Sequence, residues 1–112
     1  MGILGGLISF ISSGPAIQNL DRIDMRVDYK DGGVLLPVVV SQHLDGSPET
    51  QAMIRAKLDT YLGFIDHGET EGAKYVRVQL GCVKRPDPKA IATIDSFKDE
   101  FAKRGAELLW KS

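Results

Sequence analysis

The stretch Ser47-Pro48-Glu49-Thr50-Gln51-Ala52-Met53-Ile54-Arg55-Ala56-Lys57-Leu58-Asp59-Thr60-Tyr61-Leu62-Gly63-Phe64-Ile65-Asp66-His67-Gly68 reads as one amphipathic helix with both ends marked. Ser47 is an N-cap residue, whose hydroxyl accepts from N–H groups that the first turn leaves unpaired. Pro48 suits the first helical position, where a missing N–H costs nothing, and Glu49 complements the helix dipole. Ile54, Leu58, Tyr61, Leu62 and Ile65 recur at steps of four, three, one and three, which is one helical face. Arg55, Lys57, Asp59 and Asp66 fall to the face assigned to water. Gly68 stands where a left-handed residue ends a helix. Gly63 inside the helix costs up to ~1 kcal/mol relative to Ala, and close packing against a strand would explain it.

Outward from this helix, the pattern turns to strands. From Ile23 to Tyr29, Ile23, Met25, Val27 and Tyr29 alternate with Asp24, Arg26 and Asp28, which predicts a strand with one dry and one wet face. Asp31-Gly32-Gly33 supplies a hairpin turn. Val34 to Val40 is the partner strand, almost continuously apolar, with Pro37 marking a bulge or an edge position. After the helix, Ala73 to Cys82 alternates again. Pro86-Asp87-Pro88 breaks the chain, and Asp87 caps a second helix through Arg104 with Ala90, Ile94, Phe97 and Phe101 inward. Gly105 ends it, and Ala106 to Trp110 is a final short strand. The expected fold is α+β: an apolar, helical N-terminal segment over residues 1–15, then one domain over 16–112. Its order is ββαβαβ, with a four-stranded mixed sheet. Right-handed crossovers place both helices on one face of that sheet. The other face is left open or covered by a partner.

A chain of 112 residues with 43% hydrophobic and 26% charged content suits one such soluble domain. The formal net charge of -1 provides no long-range field for nucleic acid or an anionic membrane. Lys84, Arg85, Lys89, Lys103 and Arg104 are interleaved with Asp87, Asp99 and Glu100, which reads as a solvated mixed surface. No nucleic-acid partner is expected. The single cysteine, Cys82, has no partner for an internal disulfide, and no zinc spacing or CxxC pair is present, so a reducing, bacterial cytoplasm is the expected compartment.

No charge occurs between Met1 and Leu20. On a helix, Ile3, Leu4, Leu7, Ile8, Phe10 and Ile11 share one face opposite Gly2, Gly5, Gly6, Ser9, Ser12 and Ser13. The run lacks the basic start of a signal peptide, is about half the ~20 residues of a membrane span, and carries no Lys or Arg for a surface-lying membrane helix. Its apolar face has three candidate resting places: its own domain, a second copy of the protein, and a membrane.

For chemistry, His43 and Asp45 are the candidate binding residues. They lie at the end of an apolar strand and just ahead of a helix N-terminus. General acid–base work requires them around a pocket with a third group; a loop histidine beside a helix cap is the structural alternative. Cys82 precedes Lys84-Arg85, whose charge lowers a thiol pKa if it is close, although a buried structural cysteine is the commoner outcome. His67 at the helix end interacts favourably with the dipole. No catalytic set, metal site or cofactor is expected, because no phosphate-binding loop, dinucleotide fingerprint, nucleophile elbow or zinc-protease motif occurs.

The segment Ser41-Gln42-His43-Leu44-Asp45 followed by Leu58-Asp59-Thr60-Tyr61-Leu62-Gly63-Phe64-Ile65-Asp66-His67-Gly68-Glu69 resembles a family of small bacterial domains of unknown function. In that family a strand ends in an Asp-His-Leu-x-Trp-like motif, and a helix with Tyr-Leu-x-Phe-Ile-x-x-Gly follows. The resemblance covers about residues 15–105. Gln42 stands where the family has Asp, and Gly46 where it has Trp, so a site built on those residues is altered here. The resemblance implies a fold and no activity. The leading functional expectation is a non-enzymatic interaction or accessory domain that self-associates as a dimer, with an unidentified protein as the other candidate partner. The alternatives are a small hydrolase or transferase using His43, Asp45 and Cys82, and a peripheral membrane protein attached through residues 3–11.

Overall fold

Capping, proline placement and the apolar stripe produce helix α1, Pro48–Asp66, in the computed structural model, which describes residues 15–112. Ser47 is extended (φ −70°, ψ 154°), and its side chain accepts from the Thr50 N–H. At the other end Gly68 takes φ +83° and donates its N–H to the Ile65 carbonyl. The buried face holds Ile54, Leu58, Tyr61 and Leu62, as the spacing predicts, and also Lys57. Assignment of Lys57 to water is therefore corrected: its side chain is fully buried. Gly63 is corrected as well, because a Cβ built there meets nothing within 4 Å, so no strand packs against it.

Four strands form the sheet in the order β1-β2-β3-β4: β1 Val27–Asp28, β2 Gly33–Val39, β3 Tyr75–Gly81 and β4 Ala106–Lys111. β1 and β2 are antiparallel, whereas β2, β3 and β4 are parallel, so the sheet is mixed. Period-two alternation sorts the side chains. Val34, Leu36, Val38, Val76, Val78, Leu80, Ala106 and Leu108 are buried in one cluster with Ile54, Leu58, Tyr61, Ala90, Ile94 and Phe101 from the helices. Leu35, Pro37, Gln79 and Leu109, half-buried, and Val39, Arg77, Glu107 and Lys111, exposed, occupy the other face.

Two details depart from the sequence reading, and Pro37 takes the second of its two expected placements. The second helix is two: α2 Pro88–Asp95 and α3 Lys98–Lys103. The break falls at Ser96-Phe97, where the Ser96 hydroxyl bonds the Thr93 carbonyl and the Phe97 N–H turns back to Ile94. The first strand keeps only two of its seven expected residues, because Asp24 meets β2 through its side chain: Val39 N–H donates to Asp24 Oδ2 at 2.7 Å. Pro37 lies just past the end of β1, facing an edge where, among the described residues, no strand pairs with it to miss its N–H. It makes no bulge in the β2–β3 register.

The segment before β1 is otherwise irregular. Ile17 forms an isolated antiparallel bridge with Val40, and Ala16 and Ile17 are buried. The N-terminal expectations for Ile3 to Ile11 lie outside the described residues. No helix among the described residues is long and apolar enough to cross a membrane.

Candidate functional site

The loop from Ser41 to Ser47 leaves the carboxyl end of β2 and delivers the chain to α1. Leu44 is buried in the core, and its carbonyl accepts from the Asp87 N–H at 2.9 Å, which ties this loop to the entry of α2. Asp45 Oδ1 accepts from the Ser47 hydroxyl (2.6 Å), the Thr50 hydroxyl (2.6 Å) and the Ser47 N–H (3.0 Å). These bonds, the two hydroxyls foremost, hold the Asp45 carboxyl down to about 2. Such a carboxylate remains ionised near neutral pH and is a poor proton acceptor there. Its geometry is that of a helix-entry brace. Gly46 faces Asp87 so closely that a Cβ would stand 2.6 Å from Asp87 Oδ1, so any side chain at this position requires Asp87 to shift.

Because β2 and β3 are parallel, their carboxyl ends lie at the same edge, and His43 and Cys82 both follow from that edge. The structure thus brings the two to one end of the sheet but joins neither of them to Asp45 by a hydrogen bond. His43 is half-buried, and its Nδ1 is a buried atom without a hydrogen-bond partner among the described residues. The Cys82 sulfur rests 4.0 Å from the Leu80 carbonyl, and burial raises the thiol pKa. Of Lys84 and Arg85, the pair expected to lower it, Arg85 places its guanidinium 5.4 Å from the centre of the Trp110 ring. At the far end of α1, Asp66 binds Arg104 (2.6 Å), which lowers the carboxyl pKa, and His67 is an exposed cap residue.

A second polar cluster lies around Lys57. Lys57 Nζ bonds the carbonyls of Gln18 (2.8 Å), Asn19 (2.8 Å) and Arg22 (2.9 Å) and Asp24 Oδ1 (2.7 Å). The Tyr61 hydroxyl donates to the Pro37 carbonyl (2.7 Å) and accepts from the Asp24 N–H (3.1 Å). Burial pushes the Tyr61 phenol well above its ordinary range, so it stays protonated as that donor. Every ammonium proton of Lys57 is engaged, so this lysine is a strut and no nucleophile. A cleft of about 280 Å³ opens on the far side of Asp24, lined by Gln18, Asn19, Asp24, Met25, Val39 and Ser41. The sequence holds only the spacing for this cluster, and its acceptors come from residues 33–39 positions away. Lys57 lies three residues after Ile54 and four before Tyr61, on the stripe itself.

Among the described residues no group of three or more His, Cys, Asp or Glu side chains is placed to hold a metal ion. Comparison with protein-family models, with curated proteins and with solved structures finds no match to this chain.

Proposed function

We propose that this protein is a non-enzymatic interaction or accessory domain of the bacterial cytoplasm that acts as a homo-oligomer. The observation that carries this reading is the one-sided sheet. Among the described residues, helices cover one face, while the other presents half-buried Leu35, Pro37 and Leu109 together with Val39 at 51% exposure, beside Tyr29 at 42%. Apolar surface gathered on one face and bordered by polar residues is characteristic of protein contact sites. Membership of the small bacterial domains that the Ser41–Asp45 and Leu58–Glu69 segments resemble is part of the same proposal.

The hydrolase or transferase reading has weaker support. Asp45 is occupied by Ser47 and Thr50, and the Cys82 thiol is held in its protonated form. The membrane reading concerns residues 3–11, outside the described chain. Light scattering on the full-length chain tests self-association. A dimer of the 12.2 kDa chain is the expected result, and a monomer mass at every concentration rejects it.

A further inference from the structure

The two edges of the sheet are treated differently. On the β1 side, main-chain groups of β2 beyond Leu35 already have partners: Pro37 O takes the Tyr61 hydroxyl, Val39 N–H goes to Asp24, and Val40 bridges Ile17. On the other side β4 is the last strand. Cys82 N–H donates to the Lys111 carbonyl at 2.7 Å, so the main-chain groups of Lys111 face β3. Alternation turns those of Glu107 and Leu109 the same way, and points those of Ala106, Leu108 and Trp110 outward. This outward row has no main-chain partner among the described residues. β4 also lacks the proline, bulge or inward charge that commonly blunts such an edge.

Resting on the homo-oligomer reading above, we propose that β4 is the dimer contact: two copies pair their β4 strands antiparallel across a two-fold axis at Leu109. Identical edges brought together by a two-fold must run antiparallel. In this register Leu108 and the partner's Trp110 exchange main-chain hydrogen bonds, as do Trp110 and the partner's Leu108, about four bonds in all. Leu109 faces the partner's Leu109 in a close, non-hydrogen-bonded pair. Glu107 faces the partner's Lys111, and Lys111 faces the partner's Glu107. A two-fold at Leu108 instead sets Glu107 against Leu109 and leaves both charges without an opposite. The sequence Glu107-Leu108-Leu109-Trp110-Lys111 is therefore self-complementary in charge about one residue, and the result is a continuous sheet twice as wide. Arg77 already binds Glu107 at 2.8 Å, so the carboxylate sits between two cations in the dimer.

Two measurements on the full-length chain test this. In amide hydrogen exchange, the Leu108 and Trp110 N–H groups slow as protein concentration rises, while Leu109 and Lys111, bonded to β3, are protected at every concentration. In sedimentation equilibrium, Lys111→Glu weakens dimerisation about 10-fold or more, since like charges then oppose each other twice. Adding Glu107→Lys to that variant restores most of the loss, with thermal unfolding checking that both variants fold. A wild-type dimer with fast, concentration-independent exchange at Leu108 and Trp110, or one indifferent to Lys111→Glu, rejects the β4 contact and leaves the homo-oligomer reading standing. A wild-type chain that stays monomeric rejects both.

Discussion

Lys57 Nζ lies 2.7 Å from Asp24 Oδ1, with the lysine side chain at 0% exposure and the aspartate at 12%. A buried ion pair is weak support for stability by itself, since desolvation offsets most of the attraction. What distinguishes this pair is its company. The ammonium gathers three main-chain carbonyls of the irregular segment, and the carboxylate serves β2 through Val39. The pair therefore works as a clasp that holds residues 18–24 between α1 and the sheet edge. Removing one half leaves the other half buried without its counter-charge.

Lys57→Met should destabilise the protein by about 3–5 kcal/mol, the cost of breaking a buried pair from one side. Urea unfolding measures it. A loss below ~1 kcal/mol would show that the segment is held mainly by Ala16 and Ile17.

Gly63→Ala should stabilise the protein by about 0.5–1 kcal/mol. The position is helical, and an added methyl meets no atom within 4 Å. Thermal unfolding should show a rise of a few degrees; a fall would mean that this surface is covered in the native assembly.

Gly33→Ala should have the opposite sign. A Cβ there would stand 1.9 Å from the Tyr75 ring, which lies across Gly33 and reaches Asp31 with its hydroxyl at 3.0 Å. A loss of about 1–3 kcal/mol is expected, as for overpacking. In a Tyr75→Ala background the same substitution should cost much less, and a double-mutant cycle reads the difference.

Asp45 makes stability depend on acid. Its folded pKa, about 2, lies below the ~3.9 of an unfolded aspartate. Its contribution is therefore complete above pH ~4 and is lost as pH falls toward ~2. Asp45→Asn should be less stable than wild type at neutral pH, with the gap closing through that window. A gap independent of pH would mean that the charge of Asp45 plays no part in bracing the helix entry.

Cys82 should alkylate more slowly than a free thiol at mildly alkaline pH, because burial raises its pKa and limits access. Timed iodoacetamide labelling checks this, with urea-unfolded protein as the reference. Equal rates in the folded and unfolded protein would revive a reactive-thiol role.

Helix α1 and the sheet's inner face were legible from residue order, because a cap, a proline and an apolar stripe act over a few neighbours along the chain. The hairpin turn and the strand Tyr75–Gly81 were legible for the same reason. Lys57 was misassigned because a lysine is almost always solvated, and only a ring of acceptors from distant residues makes its burial tolerable. The shortening of the first strand has the same source: Asp24 reads as a wet strand position until Lys57 and Val39 claim its two oxygens. The sequence makes His43 and Asp45 candidates, but whether their polar atoms are free is a question of contacts. Thr50 and Ser47 answer it for Asp45.

By itself, then, the sequence determined the element types, the inner stripe of α1 and the mixed-charge surface, all of which follow from periodicity and composition. The tertiary structure alone decided that Lys57 faces inward, that the β2 edge is closed largely by side chains and that, among the described residues, the outer row of β4 has no main-chain partner. Those outcomes depend on hydrogen-bond groups separated by tens of residues, where each donor or acceptor must find a partner or stay in water. No local pattern records which of the two it does.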